Sequence, residues 1–360
     1  MIILQPTSLC NLNCAYCYLP GRKSKNEMSL PVARAIAEGI NHEWMESAPL
    51  ELVWHGGESL AVGPTLFEEL LTPFTALQHA SLVQHVIQTN ATLITNKSCE
   101  LLLKHDIQVG VSLDGPSTLN QNRVDWQGKP ALTRIMNGIA KLAEHRIDFD
   151  VIAVIDQTAI DGVEQILDFL ATLHPRSIAL NLEEREGANL HNGSPSPHEA
   201  RTLWRDVFTW ASRNRSIRIR EVDRLLNYLA APPPTTAADT PHDPLPTVAW
   251  NGDVIMLSPE LLGMKSTQYS DFIAGNVLVE PLHRMLSRVY DLPYVQEFQT
   301  GVRRCKQTCD FFAFCQGGQA GNRFFEHGAF STTETHHCHI TIQALVTGFA
   351  DLAETEGKIA

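Results

Sequence analysis

Three cysteines near the amino terminus, Cys10, Cys14 and Cys17, stand at a C-x3-C-x2-C spacing. Three thiolates can hold only three corners of a cube-shaped iron–sulfur cluster, which leaves the fourth iron open to a small molecule. A purely electron-carrying 4Fe-4S cluster uses four protein thiolates, and the next cysteine, Cys99, is too remote to close the loop. A second group, Cys305-x3-Cys309-x5-Cys315-x22-Cys338, has four thiols and can close a complete site. Spacing alone leaves that site two occupants. One is a closed 4Fe-4S cluster; the other is a structural zinc, because Cys305 and Cys309 are zinc-like in spacing and His336, His337 and His339 flank Cys338. Clustering of this kind favours metal over disulfides, and Cys99 reads as a small buried hydrophobe.

Other polar residues fall where β-rich runs end. His55-Gly56-Gly57-Glu58 follows the second run: paired glycines permit close backbone approach, and the carboxylate can accept from an ammonium group. The bland alternative is a tight turn. Thr89-Asn90 closes the third run and Ser112-Leu113-Asp114-Gly115 the fourth, with Arg123 beyond; loop capping is the alternative there. Glu183-Glu184-Arg185-Glu186 follows the sixth, either as a reactive rim or as a solvated run of charge.

These residues are positioned by six strand-like runs at 2–6, 51–54, 85–89, 109–113, 149–155 and 178–182. Helical patterns at 30–45, 65–71, 96–105, 132–145 and 159–173 alternate with them. Six such units imply a parallel sheet rolled into a partial or full barrel, whose reactive rim lies at the strand carboxyl ends. After residue 186 the rhythm breaks. Residues 187–197 read as loop, 198–213 as helix, 217–220 as a short strand, 222–229 as helix and the proline-rich 231–246 as loop. Asn251-Gly252-Asp253 sits between apolar runs within 247–257, a hairpin signal, and 340–356 reads as a closing helix.

The 360 residues, 44% hydrophobic, can bury one large core plus a smaller appended unit. A formal net charge of −12 with no basic run leaves no footprint for a phosphate backbone, so no nucleic-acid partner is expected. No apolar stretch reaches the roughly 20 residues that cross a bilayer, and the start lacks a basic segment followed by a long apolar one. A cytoplasmic location without a membrane partner is expected.

The order of C-x3-C-x2-C after strand one, Gly-Gly-Glu after strand two, and polar ends on strands three and four resembles the radical S-adenosylmethionine (SAM) enzymes over about residues 1–185. Tyr16 holds the aromatic position that commonly precedes the third cysteine. The resemblance implies a partial (β/α)6 barrel of α/β class. It also implies that the open iron is chelated by S-adenosyl-L-methionine, whose reductive cleavage gives a 5′-deoxyadenosyl radical that abstracts hydrogen in a site closed to water. By position, Tyr16, Gly56, Gly57, Glu58, Thr89, Asn90, Ser112 and Arg123 would bind the cofactor: Glu58 would accept from its ammonium, and Ser112 and Arg123 would contact ribose or carboxylate.

The second cysteine set, with Gly317-Gly318, Asn322 and Glu326-His327-Gly328 between its last two members, resembles the SPASM-type carboxyl-terminal extension of radical peptide-modifying enzymes. That resemblance favours iron over zinc. Full members hold two auxiliary clusters. Here the 247–257 hairpin carries no Cys and Gln319 stands where another is often found, so one auxiliary 4Fe-4S cluster, at Cys305, Cys309, Cys315 and Cys338, is expected. The implied domains are a barrel at 1–186, bridging helices and proline-rich loop at 187–246, and a SPASM-like unit at 247–360.

The runs Gln5–Cys10 and Asn122–Asp125 further resemble maturases of ribosomally made precursor peptides that install cyclophane-type crosslinks. That chemistry needs a base for the ring proton, sought among Asp114, Glu183, Glu184 and Glu334, and a low-potential flavodoxin- or ferredoxin-type electron donor. No extra leader-recognition segment precedes the first strand, so a leader would bind elsewhere. Competing expectations are thioether formation, oxidation of a sulfatase Ser or Cys to formylglycine, and a zinc- or cluster-bearing binding protein without turnover.

Overall fold

A computed structural model of the chain describes residues 1–40, 49–189, 193–231 and 243–355. Six strands, β1 (Ile2–Leu4), β2 (Leu50–Trp54), β3 (Val83–Thr89), β4 (Gln108–Ser112), β5 (Phe149–Ile155) and β6 (Ser177–Leu182), pair in parallel and in chain order. Between them run helices at Leu30–Gly39, Pro64–Leu71, Asn96–Lys104, Leu132–Glu144 and Val163–Ala171. The expected helix at 30–45 stops at Gly39, and its residues 41–45 lie outside the described residues. Alternation decides which face of each strand sees the helices. In β5, Phe149, Val151, Ala153 and Ile155 are buried while Ile152 and Val154 turn to the concave side. A side chain buried on one face and open on the other leaves room there for a ligand.

The sheet continues past the six units. β7 (Arg218–Ile219) adds in parallel to β6, and β8 (Thr247–Val248) adds in parallel to β1. β8 then pairs antiparallel with β9 (Asp253–Ile255), which pairs antiparallel with β10 (Gly275–Asn276). The order β10-β9-β8-β1-β2-β3-β4-β5-β6-β7 is linear, so the barrel stays open. The hairpin expected at 247–257 forms, and it extends the barrel sheet itself. The helix expected at 222–229 spans Arg220–Ala230; most of the proline-rich loop, residues 232–242, lies outside the described residues.

The later part of the chain is helical: Pro293–Thr308, Phe312–Cys315, Ala320–His327 and Ala344–Thr355. The last of these closes onto Pro197–Arg213. Trp204 Nε1 donates to the Ile340 carbonyl at 2.8 Å, the Phe208 and Phe349 rings lie 5.0 Å apart, and Arg201 pairs with Asp351. A Cβ on Gly348 would fall 2.8 Å from the Arg201 carbonyl, so a glycine sets this close crossing. No helix among the described residues is long and apolar enough to cross a membrane.

Candidate active site

Beyond β1 the chain forms a loop pinned on two sides. Ser8 N and Cys10 N donate to the carbonyls of Asn26 and Arg22, and Asn13 N and Ala15 N to those of Val124 and Asn122. Trp126 Nε1 adds a bond to the Cys10 carbonyl at 2.9 Å. The glycine pair after β2 is shaped to this loop. At Gly57 φ is +79°, and a Cβ would lie 2.5 Å from the Thr7 carbonyl oxygen and 2.7 Å from that of Leu9. Close backbone approach is therefore required by the chain's own cysteine loop.

Glu58 is 1% exposed and ties the ends of β2 and β3 together. Its carboxylate accepts from the Thr89 hydroxyl at 2.7 Å, Asn90 N at 2.8 Å and Leu60 N at 3.2 Å, while burial raises its pKa. Asn90 Nδ2 donates to Asn11 Oδ1 at 2.9 Å and lies 3.9 Å from Cys10 Sγ. Burial pushes the Cys10 thiol up to about 12, helped by the Glu58 charge, and the Cys14 thiol up to about 11. Buried thiols with such poor acidity need a cation to become thiolates.

Asp114 sits at the centre of a second lock. Its carboxylate accepts from Tyr16 OH at 2.6 Å, Arg123 Nη2 at 2.9 Å and Val154 N at 2.9 Å, and Arg123 lies over the Tyr16 ring at 5.4 Å. This geometry ties the cysteine loop to β4 and β5. It takes up most of the carboxylate's acceptor positions, three bonds against about four sites, and Asp114 does not line the cavity on the concave side of the sheet. Arg123 does line it, and its buried Nε has no partner among the described residues, which leaves a donor for an anionic group. Ser112 also lines it and accepts from Gln88 Nε2 at 2.8 Å.

A cavity of about 770 Å³ opens on the concave side of the sheet. Cys10, Cys14 and Cys17 line one part of it and Cys305, Cys309, Cys315 and Cys338 another, so two sets separated by nearly 300 residues of chain share one space. Tyr16, Gly57, Glu58, Thr89 and Asn90 face the same space; Gly56 does not. Among the second set, burial pushes Cys338 up to about 12, reinforced by charge on Cys315, Cys309 and Cys305. Arg323 Nη2 donates toward Cys305 Sγ at 3.4 Å. Among the described residues no three Cys, His, Asp or Glu side chains converge on a single-ion position. The flanking histidines are engaged elsewhere: His336 Nε2 contacts the Pro195 carbonyl at 2.9 Å, His337 Nδ1 lies 3.0 Å from Glu184 Oε2, and His339 Nε2 lies 3.2 Å from Glu334 Oε2.

Acids gather in the same cavity. Glu183, Glu184, Glu186 and Glu260 line the cavity with His337. Glu183 is 4% exposed and accepts from Asn189; Glu184 accepts from Asn322 Nδ2 and faces His337. Burial raises Glu186 well above the usual carboxylate range, with the Glu184 and Glu260 charges adding to it, and burial raises Glu260 too. Burial opposes charge on His337, but the Glu184, Glu326 and Glu260 charges together outweigh it and the ring's pKa rises. Glu334 stands apart, half-exposed and outside the cavity. Sequence reasoning missed Glu260, Arg323 and the pair of Tyr18 OH and His55 Nε2, 3.0 Å apart. Glu186 lies in the acidic run 183–186, where nothing in the sequence marks its burial.

An open parallel sheet with a three-cysteine loop at its first strand end, a buried Gly-Gly-Glu turn and a shared cavity defines a class of protein. The chain belongs to the radical SAM superfamily, whose family model matches residues 4–170. It is an enzyme of S-adenosylmethionine-dependent radical type. A Synechocystis sp. protein is 32% identical over 354 residues, covering 95% of this chain and 89% of that relative. The serine-type anaerobic sulfatase-maturating enzyme of Bacteroides thetaiotaomicron is 25% identical, covering 90% of this chain and 83% of that enzyme. Two solved structures share the fold. Native anSMEcpe with bound AdoMet and Cp18Cys peptide superposes with a TM-score of 0.78 at 19% identity, over 99% of this chain and 96% of that one. Streptococcus suis SuiB bound to precursor peptide SuiA gives 0.67 at 18% identity, over 93% and 75%.

Proposed function

We propose that this enzyme is a radical peptide maturase that removes a side-chain hydrogen from a ribosomally made precursor peptide and forms a cyclophane-type carbon–carbon bond to an aromatic residue. The observation that carries the reading is the single cavity lined by both cysteine sets. Cys10, Cys14 and Cys17 would hold the open cluster, and Cys305, Cys309, Cys315 and Cys338 the one auxiliary 4Fe-4S cluster. The donor sets fit. Cys10 and Cys14 are buried beyond easy ionisation, so cluster iron would supply the missing positive charge there. Zinc would need ligands about 2.0–2.3 Å from one point, whereas a cubane takes each thiolate on its own iron. When bound, the open cluster with S-adenosylmethionine supplies a hydrogen-abstracting carbon radical, and a closed cluster supplies an acceptor for one electron.

The chain's own residues do the rest. Glu58 offers its remaining acceptor position to the methionine ammonium, and Arg123 Nε, with Ser112, Thr89 and Asn90 nearby, offers donors to the carboxylate and ribose. Tyr16 and Asp114 fix the cysteine loop. The ring proton of the peptide goes to the Glu184, Glu186, Glu260 and His337 group, which faces the cavity, rather than to Asp114 or Glu334; Glu183 lines the pocket beside them. A low-potential flavodoxin or ferredoxin would supply the first electron. The peptide-bound neighbours support a peptide substrate.

The Bacteroides relative favours a second reading, oxidation of a Ser or Cys in a sulfatase segment. Mass spectrometry after incubating the reduced enzyme with candidate precursor peptides and sulfatase-segment peptides separates the two. Loss of two hydrogens with a fragmentation-resistant segment ending at an aromatic residue supports the crosslink. The same loss at a single Ser, or loss of two hydrogens with exchange of sulfur for oxygen by hydrolysis at a single Cys, with the backbone fragmenting throughout, replaces it with the second reading.

A further inference from the structure

Arg323 is 2% exposed, and among the described residues no carboxylate pairs with it. Its Nη1 donates to the Phe330 carbonyl at 3.3 Å, and its Nη2 to the Gly317 carbonyl at 2.7 Å and toward Cys305 Sγ at 3.4 Å. The guanidinium stands 5.0 Å from the centroid of the Phe298 ring. The fold also makes room for it. Gly301 lies inside the helix Pro293–Thr308, where glycine costs about 1 kcal/mol relative to alanine, and a Cβ there would fall 2.1 Å from Arg323 Nη1. A buried guanidinium without a carboxylate is costly unless something nearby carries negative charge. The group beside it that can carry negative charge, as a thiolate, is Cys305, whose Sγ lies 3.4 Å from Nη2.

We propose that Arg323 is a positioning residue of the second cysteine site, supplying its counter-charge and holding its reduction potential up through the N–H···S bond to Cys305. This rests on the reading that Cys305, Cys309, Cys315 and Cys338 hold a cluster. Four thiolates give such a cluster net negative charge, and reduction adds one more. A cationic donor stabilises the more negative form most, so it favours reduction. A site that must take an electron from a substrate radical needs that bias; a purely structural site does not.

The test uses the full chain carrying Cys10→Ala, Cys14→Ala and Cys17→Ala, reconstituted anaerobically and titrated electrochemically with its reduced-cluster spin signal as readout. Arg323→Gln is expected to shift the equilibrium toward the oxidised form by tenfold or more, which for one electron is about 59 mV. Arg323→Lys, which keeps the charge, is expected to recover part of that shift. Iron lost from the Gln variant but kept in the Lys variant also supports the proposal, since charge alone then holds the cluster. A potential that does not fall in Arg323→Gln overturns it, and so does loss of iron from both variants, which would mark a need for the guanidinium shape only. If the triple-alanine parent itself binds no iron, the two-cluster reading fails and this inference fails with it.

Discussion

At the scale of single residues, the site is held by buried charges with assigned partners. Asp114 is the clearest: one carboxylate accepts from a tyrosine on the cysteine loop, an arginine and a strand amide. Asp114→Asn leaves Arg123 buried without its counter-charge and is expected to cost about 3–5 kcal/mol, whereas Tyr16→Phe removes one hydrogen bond and should cost about 1 kcal/mol. Urea unfolding midpoints of the two variants order these effects, and equal losses would contradict the lock. Glu186 behaves differently because burial favours its neutral form. A base works only when deprotonated, so turnover should rise as pH climbs through that raised pKa. In Glu186→Gln the rise should flatten; an unchanged pH profile removes Glu186 from the proton-accepting group. The cysteines and Gly56-Gly57-Glu58 were legible in sequence because their chemistry is encoded in short spacing. Glu260 was not, because the charges that face it, Glu184 and His337, come from distant parts of the chain; Arg323 was not, because no short spacing marks a guanidinium that only helix packing brings to Cys305 Sγ.

At the scale of elements, the turn after β2 and the interior of β3 each rest on one residue. A methyl group at Gly57 would meet two carbonyl oxygens of the cysteine loop. Gly57→Ala is therefore expected to lose about four irons per chain, the content of one 4Fe-4S cluster, while the second set keeps its own; retention of both would show that the loop can yield. On β3, His85 is fully buried and accepts from Trp54 Nε1 at 3.1 Å. Burial lowers its pKa to about 4 from an ordinary 6.5. The unfolded chain then binds more protons between those values, so stability is lost as pH falls from about 6.5 toward 4. His85→Gln keeps an acceptor for Trp54 and removes one titrating group. Its urea midpoint should fall less between pH 7 and pH 5 than that of the parent, with His55, lowered in the same direction, keeping part of the slope. A slope identical to the parent's would remove His85 from the acid response.

The six βα units were readable because period-2 apolar runs alternate with helical ones. The ends drifted by a residue or two where a polar side chain such as Gln108 or Ser177 opens a strand. The pairing of β8 with β1 and the helix Pro293–Thr308 were not readable. A two-residue strand has too little pattern to see, and that helix owes Gly301 to Arg323 rather than to helical preference.

At the scale of the whole molecule, the later part of the chain brings a second cysteine set to the cavity that the first half opens. The hairpin β8–β9 extends the sheet beside β1, and the last helix clamps the helix after β6. Two metal sites on one cavity are the central claim, and one measurement meets it most directly. The wild-type chain and the Cys10→Ala, Cys14→Ala, Cys17→Ala variant are reconstituted anaerobically, assayed for iron and sulfide, and then given S-adenosylmethionine with strong reductant. About eight irons and 5′-deoxyadenosine are expected from the wild type, and about four irons with no 5′-deoxyadenosine from the variant. Zinc in place of the second four irons, or an intact cluster content with no 5′-deoxyadenosine from the wild type, would contradict that claim.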